Sequence, residues 1–152
     1  QSSGLHLLQQ GDVMKLSDIR IDAATIEVGD WIDDLPFPGL EGVRLNVRGI
    51  GNADYRRLQS KLFRDASAKR IGPENADDFG EKVTNELLSK TVLLGWDGIF
   101  EEDGTTPLKF TPDLALQLLS DPELSTLRNA VTYAANLLAG RRKKPAESDL
   151  KN

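Results

Sequence analysis

The sequence predicts an α+β fold, mainly helical, with about four helices and a small N-terminal antiparallel β-sheet. Three observations carry that expectation. Residues 43–48 alternate apolar and polar side chains, the two-residue period of a half-buried strand. From residue 52 onward, apolar positions recur at three- and four-residue spacing, the period of an amphipathic helix. The composition, 152 residues with 39% hydrophobic and 28% charged, is that of one domain with its own core, and at this size folding hides roughly 68–70% of the unfolded chain's surface. A collagen, a coiled-coil rod and a wholly disordered chain are excluded.

Taken in order, Ile19 and Ile21 alternate with polar neighbours, and Thr25-Ile26-Glu27-Val28 leads toward Trp31 and Ile32, so strand is expected here. Asp33-Asp34-Leu35-Pro36-Phe37-Pro38-Gly39-Leu40 breaks regular structure and joins this strand to Val43-Arg44-Leu45-Asn46-Val47-Arg48. Asn52 is a good helix N-cap, and Tyr55, Leu58, Leu62 and Ala66 form the stripe of the helix that follows. Ile71-Gly72-Pro73 ends it, and Pro73 suits the first turn of a second helix striped by Ala76, Phe79, Val83 and Leu87. Residues 91–96 turn β-like before turns at Asp97-Gly98 and Asp103-Gly104. Thr111-Pro112-Asp113 opens a third helix through Leu118 and Leu119. Asp121-Pro122-Glu123 opens the last, which runs through Leu124, Leu127, Val131, Ala134 and Leu138 to Gly140.

Residues 1–13 read as an expression leader, because Ser2-Ser3-Gly4 is typical of cloning junctions and the only methionine is Met14. His6, the only histidine, falls inside that leader, and the chain has no cysteine. Residues 14–140 are then expected to be one α+β domain without the side chains most used for acid–base or thiol catalysis, so no enzyme is expected. Residues 141–152 read as a basic flexible tail. Removing the leader's −1 and the tail's +3 from the chain's net −5 leaves −7 for the domain, which argues against nucleic acid as a partner. No run approaches the ~20 apolar residues of a membrane-spanning helix.

Chemical motifs fail on their own terms. Gly49-Ile50-Gly51 follows a strand and opens a helix, but Asp54 stands where a dinucleotide fingerprint needs a small residue, so a tight turn is expected. Counting back from Gly104, a calcium loop needs an acid where Ile99 stands. Asp33 with Asp34, and Glu101 with Glu102, are adjacent on extended chain and so point to opposite sides. No cofactor, metal or catalytic residue is therefore assigned. Trp31, Leu35, Phe37 and Leu40 crowd a strand end and loop expected to be exposed, and either form a contact surface or fold back over the sheet.

The run Leu94-Gly95-Trp96-Asp97-Gly98-Ile99, then Glu102-Asp103-Gly104, Pro107-Leu108, Phe110-Thr111-Pro112 and Leu118-Leu119, resembles the tail assembly chaperones of long-tailed bacteriophages. The resemblance extends more loosely over about residues 25–140, including residues 43–49 and Ala53-Asp54-Tyr55. It implies a non-catalytic protein of the bacterial host cytoplasm that binds the tape measure protein, keeps it soluble, helps recruit tail tube protein and is absent from the mature virion. The candidate partner-binding residues are Leu35, Phe37, Leu40, Trp96, Ile99 and Phe100, with self-association also open. The alternative is a tail or head–tail structural component retained in the virion.

Overall fold

In the computed structural model, which describes residues 13–144, the chain runs through six α-helices and a three-stranded antiparallel sheet. The helices are α1 (Leu16–Ile19), α2 (Ala23–Val28), α3 (Ala53–Lys69), α4 (Ala76–Leu87), α5 (Pro112–Leu119) and α6 (Ser125–Ala139). The strands are β1 (Asp30–Ile32), β2 (Arg44–Val47) and β3 (Leu93–Asp97), in the spatial order β1-β2-β3. Most of the expected leader and positions 145–152 of the expected tail lie outside the described residues.

Two expectations are corrected. Among the described residues the helices number six rather than four, because the region around Ile19 and residues 25–28 are helical, not extended. The alternation there spans only a few residues and loses to a stronger local signal. The Asp22 carboxylate accepts the Thr25 N–H, and Gly29, at φ +92°, closes α2 by donating to the Thr25 carbonyl. The sheet is also not N-terminal: β3 arrives after α3 and α4 and pairs with β2, Leu45 opposite Trp96 and Asn46 opposite Gly95. The expected β1–β2 antiparallel pair is present, with Trp31 opposite Asn46.

The other helix signals act as the sequence indicates. Asn52 caps α3 by accepting the Tyr55 N–H at 2.8 Å. Thr111 caps α5 through Leu114, and short 3-10 turns at Pro73–Asn75 and Pro122–Leu124 lead into α4 and α6. Gly49-Ile50-Gly51 is the expected tight turn, Gly51 lying at φ +86°. A buried π-turn, Leu88–Val92, carries the chain from α4 into β3.

The core lies between one sheet face and α5 and α6. Leu45, Val47 and Val92 are fully buried against Ala130, Val131, Ala134, Ala135 and Leu138 of α6. The alanines explain the close approach: their short side chains let the α6 backbone come near enough for the Ala135 carbonyl to accept the Ile50 N–H at 3.4 Å. On the outer side an ionic knot joins α2, the end of β2 and the start of α3. Arg48 reaches Glu27 at 3.3 Å and Asp54 at 2.8 Å, and Glu27 also accepts the Ala53 N–H at the positive end of α3.

Candidate interaction surfaces

Leu35 and Trp96, two of the residues singled out for partner binding, are buried in the core. Phe37, Leu40 and Ile99 are half-buried against it. Loop 33–43 folds back over the sheet end, where Phe37 meets Tyr133 edge-to-face at 5.7 Å. Of the six, Phe100 alone stands well exposed, at 50%.

The motif-bearing segment builds a braced corner. Trp96 points inward, its indole N–H donating to the Leu108 carbonyl at 2.7 Å and its ring meeting Phe110 edge-to-face at 4.9 Å. The neighbouring Gly95 faces outward. Trp31, Asn46 and Gly95 form one row across the three strands, and the Trp31 ring extends over the space that glycine leaves free. Gly98 turns at φ +86° directly against the Gly42 carbonyl. The two glycines therefore have different tasks: one gives room to an aromatic ring, the other permits a backbone contact.

This places an apolar patch on the outer sheet face, made by Trp31, which the sequence marks as an apolar residue at an exposed strand end, and Leu94, which it does not. Trp31 is 39% exposed, with the Arg44 guanidinium 4.9 Å from its ring centre. Leu94, 42% exposed, lies beside Gly29. For Leu94 the available signal is its place next to Leu93: one of two adjacent apolar residues on a strand must face away from the core, and Leu93 is buried.

Beyond Gly98 the chain forms an acidic hairpin, with Phe100 bridged to Pro107. Its tip is organised by Asp103, which accepts the Thr106 hydroxyl and the backbone N–H groups of Thr106 and Thr105. These hydrogen bonds, the Thr106 hydroxyl foremost, hold the Asp103 carboxyl down at about 2. A carboxyl lowered in the folded state stabilises it above its ordinary pKa near 3.8 and loses that contribution as pH falls through about 2. An NMR titration should therefore place Asp103 near pH 2, and Thr106→Val should move it up toward the ordinary value. A midpoint near 3.8 in the parent protein would disprove the turn geometry.

The other lowered carboxyls also have structural tasks: Asp22 through Thr25, Asp30 through Arg141 and Asp54 through Arg57. Arg141 belongs to the stretch read as tail. It lies 2.8 Å from Asp30, while the Arg141 carbonyl accepts the Asp22 N–H and Lys143 donates to the Arg20 carbonyl. Positions 141–143 are thus pinned along residues 20–22. Among the described residues, no group of three or more His, Asp or Glu side chains is placed to hold a metal ion, and no helix is long and apolar enough to cross a membrane.

Residues 50–152 match the model of a family described as YdaY prophage protein. No curated protein and no solved structure matches the chain.

Proposed function

The chain belongs to the YdaY prophage protein family, and on that premise we propose that it is a phage tail assembly chaperone. In this reading it binds the tape measure protein, holds it soluble and helps bring tail tube protein to it. It acts without catalysis in the bacterial host cytoplasm and leaves before the virion is complete. The observation that carries the reading is the corner at residues 94–119, whose residues resemble those chaperones. Its outer side presents Trp31 and Leu94 to solvent on an otherwise acidic body. An exposed apolar patch rimmed by charge suits a long apolar helix, which must cover one face to stay in solution.

Co-expression with the tape measure protein of the same prophage tests this. That protein should remain soluble and co-purify with the parent chain. Trp31→Ser/Leu94→Ser should reduce recovery at least about tenfold, a loss of about 1.4 kcal/mol in binding, while the variant keeps its circular dichroism spectrum. Equal recovery with the double variant would remove this patch from consideration. Absence of any co-purification with the parent would overturn the chaperone reading. Mass spectrometry of purified virions separates the alternative, since a structural component stays in the particle at fixed stoichiometry.

A further inference from the structure

The acidic net charge conceals a basic helix. α3 carries Arg56, Arg57, Lys61, Arg64 and Lys69 against Asp54 and Asp65, a net of +3, so the rest of residues 14–140 carries −10. We propose that this chain self-associates head to tail, the basic face of α3 in one copy seating in the acidic cleft of loop 33–43 in the next.

The face is well defined. Arg57, Lys61 and Arg64 follow one another at four- and three-residue steps, and Arg56, Ser60 and Arg64 make a second row beside them. Ala53 and Ser60 are short, and the longer Arg56, Arg57, Lys61 and Arg64 side chains rise around them to border a shallow, open depression of about 670 Å3. Asp54 and Asp65 hold Arg57 and Lys61, whereas Arg56 and Arg64 have no salt-bridge partner among the described residues. No α3 residue is fully buried, so this face is not committed to the core.

Loop 33–43 offers the complement. Asp33, Asp34 and Glu41 line a cleft of about 450 Å3. Arg44 also borders it, but is engaged by the Trp31 ring at 4.9 Å and Asp97 at 3.9 Å. Guanidinium groups pair with carboxylates through two parallel hydrogen bonds, so Arg56 and Arg64 suit such a cleft.

Topology lets one copy use both surfaces at once. The cleft precedes the first residue of β2, and α3 follows its last, so they lie at opposite ends of the same strand. A contact between two different surfaces repeats from copy to copy, and closes into a ring or continues as a filament according to the rotation per step. The −10 outside α3 would repel a nucleic-acid duplex, whereas a second copy supplies the carboxylates. This proposal goes beyond the chaperone reading and does not depend on it.

Sedimentation of the full chain tests it. Association is expected at low ionic strength and should be lost near 1 M salt, where the screening length falls to about 3 Å. Arg56→Glu/Arg64→Glu, and separately Asp33→Lys/Glu41→Lys, should each weaken association at least about tenfold. Asp34 is left in place because its φ of +54° disfavours lysine. An equimolar mixture of the two variants should associate again, since each reversed surface then meets its complement. If a reversal variant unfolds, Arg56→Gln/Arg64→Gln and Asp33→Asn/Glu41→Gln should show the same weakening. A parent chain that stays monomeric at low salt overturns the proposal, as do variants that associate normally or a mixture that does not recover. Salt-dependent binding of a DNA duplex, lost in Arg56→Glu/Arg64→Glu without parent self-association, would assign α3 to nucleic acid instead.

Discussion

Asn52→Leu should lower the free energy of unfolding by about 2–4 kcal/mol, the largest loss expected from any single polar side chain here. Asn52 is fully buried and its side chain makes three hydrogen bonds. Its side-chain oxygen caps α3 by accepting the Tyr55 N–H, worth about 1 kcal/mol. Its amide donates to the carbonyls of Gly49 at 2.9 Å and Thr91 at 2.8 Å, tying the turn after β2 to the π-turn before β3. Leucine keeps the branched outline but leaves the Thr91 carbonyl without its Asn52 donor, at about 1–3 kcal/mol, while the Gly49 carbonyl retains the backbone N–H of residue 52 at 3.3 Å. Asn52→Ser should recover only part of the cap. Urea denaturation checks both: a loss below about 1 kcal/mol for leucine would mean that the buried bridge contributes little.

Gly98→Val should cost about 3 kcal/mol or more, whereas Gly95→Ala should cost less than about 1 kcal/mol. Gly98 lies at φ +86°, a conformation that strains a β-branched residue by about 1–2 kcal/mol. A Cβ there would also collide with the Gly42 carbonyl, with the Val43 Cα only 3.3 Å away, and backbone atoms cannot step aside as a flexible side chain can. Around Gly95 the nearest obstacle to a Cβ is the Trp31 ring at 4.0 Å, ordinary contact distance. Thermal unfolding of the pair discriminates the two tasks. Equal losses at both positions would contradict the geometry that separates them.

Much of the fold was legible because its signals are local. Asn52, Thr111 and Asp121 each cap the turn that follows through their own side chains, so the bond that starts the helix is encoded within three residues. The stripe of Leu127, Val131, Ala134 and Leu138 is buried as its spacing requires. Residues 25–28 misled because isoleucine and valine favour strands, while the Asp22 cap and Gly29 terminator that decide the matter flank the segment. The candidate site was less legible. Leu35 and Trp96 are apolar residues near a loop or turn, a position compatible with either contact or core. Only the folding back of the loop, and the Leu108 carbonyl meeting the Trp96 indole, assign both to the core.

The sequence by itself determined the α+β class, the helix starts, the β1–β2 pair and the tight turn at residues 49–51. These depend on hydrogen bonds and periodicities that close within a few residues. Tertiary structure alone decided which apolar residues remain outside, and where charge collects. Trp31 lies exposed over Gly95 because three strands from distant parts of the chain set Asn46 between them. α3 and loop 33–43 lie off opposite ends of β2, which runs between them. Exposure and charge distribution follow from long-range placement, and a net charge summed along the chain averages that placement away.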